Sequence, residues 1–189
     1  MGAKLHFSSD LTGEATAFRT LTSDEIVVNT NIGGRSTYQN AGRTHRSGAE
    51  MGLTYRFARK WRTQFTYTYV DATYDSNGNR LPGVPKNDAY ASVRWGDELG
   101  WQLSANGQYL SDVAVNDVNT AFAPSYALFG VSGGYDAELP SFRLNTFVRL
   151  NNLFDRRYVG SVIVNDGNSR FFEPGPGFNV LAGFSVTLK

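Results

Sequence analysis

Gly177-Phe178-Asn179-Val180-Leu181-Ala182-Gly183-Phe184-Ser185-Val186-Thr187-Leu188-Lys189 closes the sequence. Phe178, Val180, Ala182, Phe184, Val186 and Leu188 fall in one phase of a two-residue period. Asn179, Leu181, Gly183, Ser185, Thr187 and Lys189 fall in the other. One phase is apolar throughout, and the other is polar or small apart from Leu181. This is a β-strand with a different solvent on each face. About a dozen residues is also roughly what a tilted strand needs to cross a bilayer.

The same alternation recurs up the chain. Ala3, Leu5 and Phe7 oppose Lys4, His6 and Ser8 in a short first strand, and Asp10-Leu11-Thr12-Gly13 reads as a compact turn. Residues 14 to about 28 read as a second strand whose apolar positions hold no single phase. Asn29 to Arg43, polar and glycine-containing, reads as a loop. The third strand is clean: Ala49, Met51, Leu53, Tyr55 and Phe57 against Gly48, Glu50, Gly52, Thr54 and Arg56. After a turn at Ala58-Arg59-Lys60, the fourth sets Trp61, Phe65, Tyr67 and Tyr69 against Arg62, Gln64, Thr66 and Thr68. Asp75 to Lys86, with Asn-Gly and two prolines, is a longer loop. Further strands follow on Ala89–Trp95, Trp101–Tyr109, Ala127–Asp136 and Phe142–Asn151. Polar loops run from Asp112 to about Pro124 and from about Asp155 to Pro176.

Two regularities decide the class. Short turns alternate with long loops, the layout of outer-membrane barrels. Aromatics gather beside the short turns, at Tyr55, Phe57, Trp61, Trp95, Trp101, Tyr135 and Phe142, as an interfacial girdle requires. The expected fold is therefore all-β: an antiparallel transmembrane β-barrel segment of about nine strands. A soluble β-sandwich or lipocalin-like barrel also alternates, but its strands are usually about five or six residues long.

Composition agrees and excludes some functions. The mean hydropathy of −0.34 does not argue against a membrane, because a membrane strand buries only every second residue. The absence of cysteine excludes disulfides and cysteine metal sites. A net charge of +1 gives no reason to expect a nucleic-acid partner. Met1-Gly2-Ala3-Lys4 runs straight into a strand with no apolar leader. An odd number of antiparallel strands cannot close, and bacterial single-chain barrels have even counts. The expectation is that residues 1–189 are the C-terminal part of a bigger barrel.

Specific residues then carry a family resemblance. Asn151-Asn152-Leu153-Phe154-Asp155-Arg156-Arg157-Tyr158 resembles the NLFD-(K/R)-x-Y segment near the end of TonB-dependent outer-membrane receptors. Pro174-Gly175-Pro176-Gly177 resembles the entry to their last strand. Asn40 to Glu50 resembles their N-x-G-x-x-x-x-G-x-E strand opening. Gly78 to Lys86, with Leu81-Pro82-Gly83-Val84-Pro85, is similar to the G-x-x-L-P-x-x-P loop of the ferric-siderophore branch. The resemblance implies a 22-stranded barrel plugged by an N-terminal globular domain. It implies import of ferric siderophores, or of haem, cobalamin, other metals or sugars, energised by TonB. The plug and TonB box are absent from residues 1–189. Implied partners are outer-membrane lipid, a ferric siderophore or similar chelate, and TonB through the missing N-terminal region; the implied location is the bacterial outer membrane. The sequence departs from the family at Phe178, where a basic residue is usual, and at Lys189, where the family ends on an aromatic.

The rival functions are a complete small barrel acting as a pore or membrane enzyme, and a soluble β-sheet binding protein. Catalysis has little support, since His6 and His45 are the sole histidines and no orienting acid is identifiable by spacing. The same two histidines support no metal site, and no cofactor is expected. Gly130-Val131-Ser132-Gly133-Gly134 lies within a strand and reads as a packing feature rather than a phosphate loop. Candidate ligand contacts are the lumen-facing Arg56, Arg62, Arg94, Arg143 and Arg149 and the loop residues Tyr158, Arg170, Phe171 and Phe172. The arginines suit anionic chelates or plug carboxylates, or are simply part of a wet lumen, and the loop residues contact a ligand from outside or simply pack the loops.

Overall fold

The computed structural model describes residues 1–189 and contains strands and turns but no helix. In chain order the strands are β1 (Gly2–His6), β2 (Leu11–Thr22), β3 (Ile26–Ile32), β4 (Arg35–Asn40), β5 (Thr44–Phe57), β6 (Trp61–Tyr74), β7 (Asn87–Gly96), β8 (Gly100–Leu110), β9 (Val113–Ala114), β10 (Phe122–Ala123), β11 (Tyr126–Glu138), β12 (Phe142–Asn151), β13 (Val159–Val162), β14 (Phe172–Pro174) and β15 (Asn179–Leu188). Nine of them form one antiparallel sheet in the order β1-β2-β5-β6-β7-β8-β11-β12-β15. The other six pair as β3–β4, β9–β10 and β13–β14, each hairpin lying inside a long connection. The sheet is open, with β1 and β15 at its edges.

Register shows why this sequence builds a two-faced wall. Directly opposed residues share a face. One row runs Ala15–Met51–Tyr67–Ala89–Tyr109–Ala127. A row nearer the short turns runs Phe57–Trp61–Trp95–Leu103–Gly133–Val148–Ala182. Neither row contains a charge. Gly133 fits where it does because a Cβ there would stand 3.2 Å from Leu103 Cδ2. The apolar face has no protein cover, and Phe184 and Leu188 are 75% and 79% exposed. Leaving such area in water costs about 25 cal/mol per Å², which hydrocarbon removes.

The expected girdle is present on that face. Tyr55 and Phe57 stack at 5.4 Å, Phe57 and Trp61 at 5.7 Å, and Trp101 meets Tyr135 at 5.0 Å. Tyr69 and Tyr109 mark the other limit of the apolar band, where Phe129 also packs edge-on against Phe154 at 5.6 Å. Trp61 and Tyr69 are eight residues apart along β6. At about 3.3 Å per residue and a tilt of about 40°, that is roughly 20 Å of height, close to the apolar band of an outer-membrane barrel.

Several boundaries differ from the sequence reading. The stretch 14–28 is not one strand: β2 ends at Thr22, and Asp24 takes a left-handed φ of 55° before β3 begins. The apolar phase is lost there because two elements meet. Asn29–Arg43 is not simply a loop, since it holds the end of β3 and all of β4, joined by Gly33 and Gly34 at φ 58° and 80°. Glycine supplies that turn without a Cβ clash. The first turn lies at Ser8–Asp10 rather than Asp10–Gly13. Ser8 Oγ accepts the backbone N–H groups of Asp10 (3.2 Å) and Leu11 (3.1 Å), so Leu11 already enters β2. The last two long loops carry β9–β10 and β13–β14, and the closing strand begins at Asn179.

Candidate functional site

The long connections 23–43, 75–86, 111–125 and 152–178 all leave the same end of the sheet and interlock there. Only 13 residues of the chain are buried, and most lie in this cap. One apolar nucleus is Ala72, Tyr74 and Leu81; a second is Val113, Val115 and Ala123. Polar groups tie the loops together. Asn165 donates from Nδ2 to the Val28 carbonyl (2.7 Å), accepts at Oδ1 from the Asp117 N–H (3.1 Å), and donates its backbone N–H to the Val115 carbonyl (3.0 Å). Its φ of 54° turns the chain so that three loops meet on one residue. The Asp117 carboxylate accepts the Tyr74 hydroxyl at 2.7 Å, and the Arg80 guanidinium pairs with Asp112 at 2.6 Å.

Glu25 anchors the first loop. It takes two hydrogen bonds from the Arg46 guanidinium (2.6 and 3.0 Å) and one from the Thr44 hydroxyl. Chiefly the Arg46 bonds, and secondarily Thr44, hold its carboxyl below the usual carboxylate range against the opposing effect of burial. Asp166 closes the last loop on itself. The N–H groups of Arg170 (3.1 Å) and Asn168 (2.8 Å) bond to its carboxylate and likewise hold it low.

Beneath the cap, the polar face of the sheet carries an amide-lined groove of about 360 Å³. Asn106, Gln108, Asn151, Asn179 and Tyr158 line it. Asn151 Nδ2 donates to Asn179 Oδ1 at 2.8 Å, and buried Asn152 donates to the carbonyls of Arg156 (2.9 Å) and Pro176 (3.1 Å). The sequence reading missed these amides, although their alternation put most of them on the polar face. Such a surface offers both donors and acceptors to a polar, oxygen-rich molecule without imposing charge.

The sequence candidates fall into separate groups. Arg56, Arg62 and Arg94 stand on neighbouring strands at the short-turn end, directly opposed in register. Arg143 is also at that end but is engaged by buried Asp136 at 3.7 Å. Asp136 further accepts Gln102 Nε2 at 3.1 Å and the Asn145 amide. Arg149 stands toward the other end of β12, its guanidinium 5.3 Å from the Phe147 ring centroid. Among the loop candidates, Tyr158 packs against Tyr126 with the rings tilted and their centroids 4.6 Å apart, and covers Gly175, where a Cβ would meet its ring at 2.1 Å. Arg170 lies 4.0 Å from Asp166 yet stays 67% exposed. Phe171 packs on the Val113–Val115–Ala123 nucleus, while Phe172 meets it edge-on at 6.1 Å and is half exposed. The nine candidates therefore do not converge on one pocket. Neither histidine joins an acid, and no group of three or more metal-ligating side chains is present.

Comparison with known proteins supplies the family. A sequence model for "TonB dependent receptor-like, beta-barrel" matches residues 1–153. The pesticin receptor of Yersinia enterocolitica is 32% identical over 164 residues, covering 80% of this chain and 23% of that protein. A probable TonB-dependent siderophore receptor, PiuA of Acinetobacter baumannii, is 30% identical over 141 residues, 65% of this chain and 18% of its own length. The solved structure of PiuA superposes with a TM-score of 0.77 at 25% identity, over 98% of this chain and 28% of that one. The unliganded ferric citrate transporter FecA gives 0.80 at 21% identity, over 99% and 30%. The chain thus spans less than a third of the length of these relatives. They are receptors and transporters, not enzymes, and barrels of this kind reside in the outer membrane of Gram-negative bacteria. Matched over residues 1–153 and folded as an open wall with one apolar face and one polar face, the chain belongs to the TonB-dependent receptor β-barrel family.

Proposed function

We propose that these strands form part of the barrel of an outer-membrane receptor that imports a ferric siderophore or a related metal chelate. In the complete protein the barrel has 22 strands, an N-terminal globular domain fills it, and TonB supplies the energy. The interlocked cap above the amide-lined groove is the observation that best supports this reading. Rigid loops present a fixed outer surface, and a neutral polar wall beneath them suits an oxygen-rich chelate moving inward. The siderophore-receptor names among the relatives point the same way. The lipid around the apolar face completes the list of partners.

The direct test is uptake of radiolabelled ferric siderophores, from a panel of catecholates, hydroxamates and carboxylates. The complete protein is expressed in a strain lacking its own receptors. One class should enter, and uptake should vanish when TonB is deleted. Uptake that persists without TonB, or passive conductance in a planar bilayer, sinks the proposal.

A further inference from the structure

Two Asn-Gly pairs and one Asp-Gly pair occur in the chain: Asn77-Gly78, Asn106-Gly107 and Asp166-Gly167. In each, a side-chain carbonyl carbon precedes a backbone nitrogen that no neighbouring Cβ shields. That arrangement lets the backbone close a succinimide ring on its own side chain. The fold treats the three differently. Gly107 pairs in the ladder with both Ala91 and Phe129, and a Cβ there would stand 3.1 Å from the Phe129 ring. Ring closure at Asn106 therefore requires the sheet to open. Asp166 is buried, its carboxylate takes the N–H groups of Asn168 and Arg170, and the Gly167 N–H donates to the Asn31 carbonyl at 2.8 Å. Cyclisation of an acid must expel water, which a carboxylate held in its ionised form does not do.

Asn77 stands in the open. Residues 75–78 are exposed, Gly78 has a φ of 73°, and no protein atom lies within 4 Å of where its Cβ would be. The Asn77 side chain makes one hydrogen bond, in which Oδ1 accepts the Asn79 N–H at 2.9 Å. This bond draws electron density from Cγ and leaves Nδ2 unheld. The Gly78 N–H donates to the Tyr74 carbonyl at 3.0 Å, a restraint that an exposed turn releases by fraying.

We infer that Asn77 is a site of spontaneous covalent modification by water. The Gly78 amide nitrogen, deprotonated by hydroxide, bonds to Asn77 Cγ. The Cγ–Nδ2 bond breaks, and Nδ2 takes up a proton and leaves as ammonia. Water then adds to either carbonyl of the ring. One opening leaves an aspartyl residue; the other leaves an isoaspartyl link, with the backbone running through the former side chain. The cap registers the change. Asn79 ties the 75–86 loop in two places: its carbonyl accepts the Tyr74 N–H at 2.9 Å, and its Nδ2 donates to the Asp117 carbonyl at 2.8 Å. An added backbone methylene shifts Asn79 out of place, so ageing loosens this loop from the 111–125 loop. Loss of ammonia makes the change one-way.

The test incubates the complete receptor in detergent at mildly alkaline pH and follows its peptides by mass spectrometry. Electron-based fragmentation distinguishes isoaspartyl from aspartyl products. Asn77 should convert at least about a hundredfold faster than Asn106, because only Asn106 waits on opening of central strands. In the chain held unfolded in urea without detergent, the two rates should agree within about threefold. Amide exchange at Tyr74 and Asn79 should rise with the isoaspartyl fraction. Gly78→Ala, which sets a Cβ beside the attacking nitrogen, should slow conversion at least about tenfold. Its left-handed φ strains alanine, so Asn77→Gln, whose longer side chain closes the ring far more slowly, is the second block. In that variant amide exchange should stay constant on ageing. Equal rates at Asn77 and Asn106 in the folded receptor, conversion to aspartyl alone, or a rate that does not rise with pH overturns the inference. Unchanged exchange in a converted sample does the same.

Discussion

Replacing Asn165 should unlock the cap while leaving the sheet intact. Its side chain makes two inter-loop hydrogen bonds, to Val28 and Asp117, and its backbone sits at φ 54°. Each part-buried bond contributes about 1 kcal/mol, and a residue with a Cβ but no side-chain polar group adds about 1 kcal/mol in the left-handed region. Asn165→Ala should therefore cost the cap about 3 kcal/mol, Asn165→Gly about 2, and Asn165→Asp, which keeps the acceptor, about 1. Hydrogen–deuterium exchange on the complete receptor reads this directly. At about 1.4 kcal/mol per factor of ten, the amides of Asn31, Asp117 and Gly167 should exchange roughly a hundredfold faster in the Ala variant. Their acceptors are the Asn165 carbonyl, the Asn165 side chain and the Asn31 carbonyl. The Gly and Asp variants should fall between it and wild type, in that order. Amides in the middle of β6 and β7 should not change. Unchanged cap exchange, or equal acceleration in the strands, would refute the view of Asn165 as a local lock.

Acidification should release the first loop. Because the folded Glu25 carboxyl is held below its ordinary value, its contribution is complete above about pH 4.3 and is lost as pH falls through the lowered value. Protease cleavage within 26–40 should rise across that window in wild type, while Glu25→Gln should be cleaved readily at neutral pH and show little further change. Asp136→Ala strands Arg143, Gln102 and Asn145 at once, and should destabilise the short-turn end by about 2–3 kcal/mol in urea-gradient folding into micelles. Arg59 has a φ of 54° in a turn that glycine would tolerate, so Arg59→Gly should be neutral within about 0.5 kcal/mol. Arg59→Val, β-branched in the left-handed region, should cost about 1–2 kcal/mol by the same measurement.

Periodicity made the wall legible, and irregularity hid the rest. A two-residue period fixes which face Tyr67 or Arg94 occupies, so the sequence located the girdle and the polar arginines. It carries no register. That Arg56, Arg62 and Arg94 stand side by side, while Arg143 pairs with Asp136, depends on how three separate connections align the strands. Hairpins such as β9–β10 have two residues per strand, too few to show alternation. Asn165 lies in Asn-Asp-Gly-Asn, which reads as turn chemistry and gives no hint that its amide joins three loops. Phe171 and Tyr158 could be read from the sequence as ligand contacts or as loop packing, because loop cores leave no periodic trace; the structure uses them for packing.

The uneven distribution of burial has a practical consequence. The strands keep their apolar side against whatever surrounds the protein, whereas the cap holds its small nuclei and hydrogen bonds in water. Exchanging one detergent for another should therefore shift the melting of the wall and leave that of the cap nearly unchanged. Salt and acid should do the reverse. A wall and cap built this way can part company, the cap losing its shape while the span remains intact, so a correctly inserted preparation is no guarantee of a folded cap.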